Sequence, residues 1–515
     1  MKREFATISL LFVVQLSAWA QFVLDWTIPS GNFNKTAVMS TIDTEDNLII
    51  AGYLQSENIY LRKIDLEGNL LWEQSNSTGI AGKYQKPVWV NVDAEDNIIV
   101  VGKRYSIANV FEYPDAVVAM KYNPTGLLLW KKEIAVSVPV GIQHPVFNLR
   151  SETDQSNNVY IGCVAAEPSG FILIKIDPSG NIRYVQNSTV LATNGFSSMR
   201  LHNNRILMAG QYNTTAPVIV WDTAGSVLWS VAATGRSAKD LEVDELGNVY
   251  VISNYPNQVS SGSGEDIVVS KYDESGNLLW KNAYDLGGID FSSKCVLHAG
   301  RLSIAGYGTS NRSLYLDWKT IQTDLSGNLL WAQSYDETLF NDELPYFIET
   351  HADGGVVVTG KGGPSPDPNN LSYLQMVIVQ YSPDGEAVWT SIPNIYGGWG
   401  MACLLASDSS LFAISSANMT AYHFKPSLPT SIISKPSSTG MQIRPNPFSD
   451  HIIIQTTEAK LPIIASLHDP QGRFIKEFIL TQVENHFDLT SIKPGVYVVK
   501  MQSGENAHSI KIIKK

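Results

Sequence analysis

The 515-residue sequence predicts an all-β fold made of repeated four-stranded units, and three observations support that prediction. Short runs of Val, Ile, Leu and Tyr alternate with Gly, Pro and Asn turns, and no long stretch shows the 3.6-residue apolar period of a helix. A ten-residue pattern recurs in which an apolar strand, an Asp-x-x-Gly-Asn turn and a second apolar strand ending in Trp follow one another. A second tight turn, of the Asp-x-x-Asn type, recurs between these hairpins.

The hairpin pattern sets the repeat length. Its clearest copy is 271–280, and near copies are 63–72, 121–130 and 322–331. Weaker copies lie at 175–184, 220–229 and 380–389. The final Trp or Tyr positions are spaced by 45 to 58 residues, since they fall at 72, 130, 184, 229, 280, 331 and 389. Four antiparallel strands repeated with this period predict a β-propeller, in which circular closure protects the sheet edges.

Counting the two turn patterns predicts eight blades. The Asp-x-x-Asn turn occurs eight times, beginning at Asp43 and Asp93, whereas the hairpin occurs only seven times. Trp26 lies before the first unit, in the position that an outer strand would give it. We therefore expect residues 22–28 to complete the last blade and close the ring, and the repeated Trp to pack between adjacent blades rather than to form exposed sugar platforms.

Composition changes divide the chain into four segments. Residues 1–20 have a basic start, an apolar run and an Ala-x-Ala end, which predicts a cleaved signal peptide. Residues 21–426 form the propeller, 427–440 are a Ser/Pro/Thr-rich linker, and 441–515 form a small β-sandwich of immunoglobulin-like type. We expect no transmembrane segment, and we expect the three cysteines to be buried apolar residues rather than disulfide partners.

The terminal segment resembles the type A C-terminal sorting domain of the type IX secretion system. The resemblance rests on Arg444, Pro445, Asn446, Pro447 and Phe448, on 469–473 and 487–490, on Gly495, Val496 and Tyr497, and on 510–515. The family's first motif usually begins with Tyr, where this chain has Arg444. The resemblance implies handling by the type IX machinery, export across the outer membrane, removal of the sorting domain, and either release or attachment to the cell surface.

Charge and motif content limit the possible functions. The formal net charge of −12 and the lack of a basic patch exclude nucleic acid as the expected partner. Asp43 and Asp93 begin Asx turns that lack the central Gly and final Glu of an EF-hand, so calcium is only a minor alternative there. No catalytic, cofactor-binding or metal-binding residue is predicted. The repeats also resemble, distantly, those of the quinoproteins, but this chain has no Cys-Cys pair to match that family's.

The sequence favours a monomeric, non-catalytic propeller that binds a protein or a glycan outside the cell. Two connections of each repeat are short, and the long ones all fall on one face of the disc, where loops on a rigid scaffold usually carry recognition. Aromatic residues in or beside the long connections are the predicted ligand contacts: Tyr105, Phe111, Tyr113, Tyr255, Tyr396 and Trp399. The alternative is a secreted enzyme, polysaccharide-acting or quinoprotein-like, with its site in the propeller funnel.

Overall fold

The structure is a computed structural model, and all regular elements in its described residues are β-strands. It describes residues 21–29, 35–54, 58–106, 114–135, 148–166, 169–193, 195–256, 265–310, 313–336, 342–363, 375–393, 398–427, 441–444, 448–456, 463–468, 474–490, 492–493, 495–503 and 506–514. The chain divides into two compact units, of which the larger is Phe22–Pro426 and the smaller includes Ser427–Lys515. No helix long and apolar enough to cross a membrane is found in these ranges.

The described residues of the larger unit form 32 strands. The first is β1 (Gln21–Ile28). The next groups of four are β2–β5 (Lys35–Ile42, Leu48–Leu54, Ile59–Ile64, Leu70–Asn76), β6–β9 (Lys83–Val92, Ile98–Ser106, Pro114–Tyr122, Leu128–Ala135), β10–β13 (Arg150–Thr153, Val159–Ala166, Ser169–Ile176, Ile182–Ser188) and β14–β17 (Gly195–His202, Arg205–Gln211, Ala216–Asp222, Val227–Ala233). They are followed by β18–β21 (Ser237–Val243, Val249–Pro256, Glu265–Tyr272, Leu278–Tyr284), β22–β25 (Asp290–His298, Arg301–Ser310, Ser313–Asp324, Leu329–Tyr335), β26–β29 (Leu344–Thr350, Val356–Gly362, Gln375–Tyr381, Ala387–Ser391) and β30–β32 (Gly400–Leu405, Leu411–Ser415, Ala421–Ser427).

The strands form four-stranded antiparallel groups arranged in a ring. Each group from β2–β5 to β26–β29 pairs in sequential order, and β14–β17 joins β18–β21 through one residue pair, Gln211 with Ser237. The last sheet has the order β1-β32-β31-β30, so the N-terminal strand occupies the outer position that the sequence predicts for it. The first strands contact one another in the order β2, β6, β10, β14, β18, β22, β26 and β30, and β30 contacts β2 again. This closed ring of radial sheets is a β-propeller.

The repeated Trp joins six of the sheets to the hairpin turn of the next sheet. The indole Nε1 of Trp72 donates a hydrogen bond to the carbonyl oxygen of Pro124, 3.0 Å away in the neighbouring hairpin turn. The same bond recurs between Trp26 and Leu66 (3.1 Å), Trp130 and Pro178 (3.1 Å), Trp229 and Glu274 (2.9 Å), Trp280 and Leu325 (3.3 Å), and Trp331 and Pro383 (3.0 Å). These six Trp residues therefore pack between adjacent sheets, and their polar atoms are satisfied at the six junctions.

The turn glycine is required for two reasons, as Gly276 illustrates. Its φ of 86° lies in the left-handed region, which residues with a Cβ atom adopt at a cost. A Cβ atom at this position would also lie 2.8 Å from the indole ring of Trp229 in the preceding group of strands. The Gly and the Trp of the repeated pattern thus act together, because each indole lies against the glycine of the next turn.

We expect Gly276→Ala to destabilise the propeller by roughly 2–4 kcal/mol, because positive φ costs about 1 kcal/mol and overpacking about 1–3 kcal/mol. Urea unfolding of the purified protein measures this change. Gly300→Ala is the matched control, since Gly300 also has positive φ (76°) but has no atom within 4 Å of the added Cβ. If the two substitutions cost the same free energy of unfolding, contact with the indole has no role.

The Asp-x-x-Asn turn is connected to the hairpin by a buried ion pair. Asp43 Oδ1 accepts a hydrogen bond from the backbone N of Asn47 at 2.9 Å, and Lys63 Nζ lies 2.6 Å from Asp43 Oδ2. Lys63 is the first residue of the adjacent hairpin copy, and Lys121 pairs with Asp93 in the same way at 2.6 Å. These carboxylates form Asx turns, as the sequence predicts, and their buried oxygens are satisfied by the protein itself.

In the part of the smaller unit that the structure describes, seven strands form two sheets. Its strands are β33–β39 (Met441–Arg444, His451–Thr456, Ile463–His468, Phe474–Leu480, Glu484–Asp488, Gly495–Ser503, Asn506–Lys514). One sheet has the order β33-β34-β37 and the other β36-β35-β38-β39. Buried residues of both sheets, among them Phe448, Ile452, Phe478 and Tyr497, form one hydrophobic cluster. The unit therefore has its own core.

Candidate functional site

A cavity of about 890 Å³ lies where the first strands of the propeller meet, and all of these strands contribute to its wall. A second cavity of about 570 Å³ shares Asn148, Ser197 and Lys294 with it. Tyr53 at the end of β3 and Trp399 just before β30 are also in the wall of the larger cavity. These positions are on the face of the long connections, because the second strand of each group ends there and the first strand begins there. The cavity size is typical of small-ligand sites.

One side of the cavity wall carries a network of charged side chains from neighbouring first strands. Arg200 Nη2 lies 2.6 Å from Glu242 Oε1, and Arg150 Nη1 lies 3.5 Å from Asp240 Oδ1. Ser198 Oγ accepts a hydrogen bond from Arg150 and donates one to Asp240. Lys294 Nζ lies 3.8 Å from Asp240 Oδ2, and its side chain keeps 30% of its surface exposed. The two arginines and Lys294 are thus held by carboxylates, and the partly exposed side chain of Lys294 lines both cavities.

Burial changes the protonation of this network. Burial and the charge of Arg150 lower the pKa of Lys294 to about 8, although Asp240 opposes this change. Burial alone would raise the pKa of Asp240, but the positive charges of Lys294, Arg150 and Arg200 hold it well below its usual range. Burial raises the pKa of Glu349, which also lines the cavity. Ionisable groups with shifted pKa values in a cleft are typical of functional sites.

Aromatic rings lie elsewhere in the same wall. Trp399 is 45% exposed, and its ring centroid lies 6.1 Å from that of Tyr346. The backbone N of Trp399 donates to Ser416 Oγ at 2.9 Å, and its carbonyl accepts from Ser416 N at 2.8 Å, so the loop that carries this indole is held in place. Deeper in the wall, the guanidinium carbon of Arg150 lies 4.7 Å from the Trp89 ring centroid. Apolar rings and hydrogen-bonding groups therefore share one cavity.

Of the three predicted ligand contacts that the structure describes, only Trp399 lines this cavity. Trp399 is part of its wall, whereas Tyr105 stacks on Tyr84 with ring centroids 4.9 Å apart, and Tyr255 is half-buried near the end of β19. Phe111, Tyr113 and Tyr396 lie outside the described residues. The hypothesis that these residues bind a ligand stays a prediction.

The charged network was missed in the sequence. The pairs Arg150/Glu152 and Asp240/Glu242 are spaced by two residues in first strands, so each pair lies on one strand face. The first strand of each group is the innermost one. Charged residues at alternate positions of such a strand could have indicated a polar site at the axis of the ring. Single residues such as Lys294 carry no comparable signal.

The described motif residues of the terminal unit lie in its strands or in its core. Phe448 and Tyr497 are buried in the core of this unit, and the Tyr497 hydroxyl donates a hydrogen bond to the carbonyl oxygen of Lys493 at 2.6 Å. Gly495 and Val496 begin β38, Arg444 ends β33, and Pro445, Asn446 and Pro447 lie outside the described residues.

The three cysteines, Cys163, Cys295 and Cys403, have free thiols and are buried.

Together these features define a β-propeller that carries a type IX secretion sorting domain. Residues 442–515 match the family described as the secretion system C-terminal sorting domain. This domain implies secretion through the type IX system to the cell surface or the medium.

Similar proteins add little beyond the fold. An uncharacterized WD repeat-containing protein of Acanthamoeba polyphaga mimivirus is 23% identical over an alignment 451 residues long, which covers 71% of this chain and 29% of that protein. The chain thus spans less than a third of that relative's length. The WD40 propeller domain of Doa1 is 11% identical, with a TM-score of 0.39 and coverage of 66% and 92%. PorZ, a surface component of the type IX secretion system of Porphyromonas gingivalis, is 9% identical, with a TM-score of 0.26 and coverage of 93% and 82%.

Proposed function

We propose that the mature protein is a non-catalytic binding module outside the cell, and that its ligand is a glycan held in the axial cavity. The observation that carries the proposal is the exposed Trp399 indole, held beside Tyr346 in a cavity that Lys294 also lines. A sugar ring presents an apolar face that stacks on an indole, and its hydroxyl groups accept and donate hydrogen bonds at the rim.

The proposal includes the number of blades, the domain boundaries and the type of the terminal domain. We propose eight blades, with residues 21–426 as the propeller, 427–440 as the linker and 441–515 as an immunoglobulin-like sandwich. The cyclic contacts of the first strands and the outer position of β1 support the blade count. We also propose that the protein is a monomer and that the sorting domain is removed after export.

We expect Trp399→Ala to weaken glycan binding at least thirtyfold, since a central aromatic contact contributes about 2 kcal/mol or more. Isothermal titration of the purified protein against a panel of neutral and acidic oligosaccharides measures the affinity. Tyr315→Ala is the matched control, because Tyr315 is 39% exposed near the start of β24 on the same face but does not line the cavity. The melting temperature should change little in both variants. If Trp399→Ala and Tyr315→Ala weaken the binding of a glycan equally, that glycan does not bind in the axial cavity.

The shifted pKa values of Lys294 and Glu349 favour an enzyme as the second candidate. A carboxyl group with a raised pKa and an amine with a lowered pKa are suited to proton transfer near neutral pH. Turnover of any polysaccharide in the same panel, lost in Glu349→Gln, would replace the binding module with this alternative. A quinoprotein-like activity predicts instead that pyrroloquinoline quinone with calcium produces oxidation of an alcohol.

A further inference from the structure

Three carboxylates meet at the junction between β18–β21 and β22–β25. Asp266 lies on β20, Asp285 follows β21, and Asp290 begins β22. One oxygen of each carboxylate lies within 4.8 Å of the others. Asp266 is 4% exposed and Asp290 is fully buried, whereas Asp285 is exposed. Two buried carboxylates and one at the surface therefore converge from two neighbouring groups of strands.

Two of these carboxylates have buried oxygens that the protein leaves unsatisfied. The loop between β21 and β22 uses one oxygen of Asp290, because Leu286 N donates to Asp290 Oδ2 at 2.8 Å. Asp290 Oδ1 and Asp266 Oδ1 are removed from solvent and have no hydrogen-bond partner among the described residues. Buried polar atoms without a partner are rare and costly in native proteins, so a missing ligand is the simplest explanation.

The charges at the junction point to a cation. Three negatively charged side chains lie together there, and two of them are buried. The positive charge of Lys319 acts on Asp290, but its ammonium group donates to Ser334 Oγ at 3.1 Å, and one positive charge offsets only part of the charge of three carboxylates.

The backbone of β23 approaches the free oxygen of Asp290 closely. Gly308 on β23 pairs with Asp290, and a Cβ atom at Gly308 would lie 2.5 Å from Asp290 Oδ1 and 2.3 Å from the carbonyl oxygen of Ile289. Only Gly therefore lets the two strands approach this closely beside Asp290. The turn that carries Asp285 is shaped by Gly287 and Gly288, whose φ angles are 91° and 93°, and Gly287 N donates to Asp285 Oδ1 at 2.9 Å.

We propose that Asp266, Asp285 and Asp290 bind a calcium ion that connects these two neighbouring groups of strands. Calcium prefers carboxylate and carbonyl oxygens at about 2.3–2.6 Å, so two ligands on opposite sides of the ion are about 4.6–5.2 Å apart, which fits the observed 4.8 Å limit. The set contains no His or Cys, which zinc would favour. Backbone carbonyls and water would complete the six to eight ligands that calcium takes.

Calorimetric titration of the chelator-treated chain with calcium chloride tests the site. We expect a dissociation constant below roughly 1 mM, as in extracellular calcium modules, with weaker binding of magnesium. Asp285→Asn should weaken calcium binding at least tenfold while the fold is kept, because Asp285 is exposed in a loop. Asp384→Asn, which removes an exposed carboxylate from an unrelated turn, is the control and should bind as the parent does.

Thermal unfolding gives a second, independent measurement. Saturating calcium should raise the melting temperature of the parent by several degrees, because the ion binds only the folded state. The Asp290→Asn variant should show no such increase with calcium. In the presence of chelator, its melting temperature should equal or exceed that of the parent, because the amide removes a buried like charge. Absence of calcium binding at 10 mM, or equal affinity in the parent and Asp285→Asn, would overturn the proposal.

Discussion

Deletion of residues 22–28 should open the propeller ring and make the protein aggregate or melt at least 10 °C lower. The strand these residues form completes the sheet of β30–β32, and without it the outer edge of β32 would be left unpaired. Phe22 is buried with its ring centroid 5.2 Å from that of Trp389. Trp26 donates to Leu66 in the first hairpin turn. The deletion therefore removes contacts with both neighbouring groups of strands.

Point substitutions can distinguish the loss of ring-closing contacts from the mere removal of residues 22–28. Trp26→Ala should cost about 3 kcal/mol, because the indole also packs against Phe412 and His423, with ring centroids 5.9 and 5.1 Å away. Leu24→Ala, in the same strand but 50% exposed, should be nearly neutral. A synthetic peptide of residues 21–28 should restore the melting temperature of the deleted protein by pairing with the open edge. A deleted protein as stable as the parent would show that this strand does not close the ring.

Truncation after residue 440 should abolish delivery outside the cell in a host with a type IX secretion system. The matched sorting domain, residues 442–515, lies wholly in the removed segment. The larger unit has its own cores and should remain folded, so the truncated protein should accumulate in the periplasm. Immunoblots of periplasm, cell surface and medium measure the distribution.

Two controls make the secretion experiment specific. Residues 441–515 fused to an unrelated periplasmic carrier should direct that carrier outside the cell. In the untruncated protein, the extracellular form should be lighter by the mass of the smaller unit if the sorting domain is removed after export. Wild-type amounts of the truncated protein in the medium would contradict the assignment of this step to the terminal unit.

The strand pattern of the propeller could be predicted because its information is local and repeated. Turn chemistry depends on a few neighbouring residues, such as Asp273, Gly276 and Asn277, and seven near copies of one hairpin make the period evident. The excess of one turn type over the other even indicated that residues 22–28 belong to the last sheet. The sorting domain was recognisable for a related reason, since its motifs occur in a fixed order along the chain.

The sequence by itself thus determined the all-β class, the repeat, the position of the N-terminal strand and the route of export. The tertiary structure decided which side chains meet. Lys294 and Asp240 lie 54 residues apart, and Asp266 and Asp290 lie in different groups of strands, so neither pair has a spacing that indicates contact. Even the reason for the repeated Gly became clear only in three dimensions, because the indole that lies against Gly276 comes from Trp229 in the preceding group of strands. Contacts across a ring depend on closure, and closure is a property of the whole chain rather than of any segment.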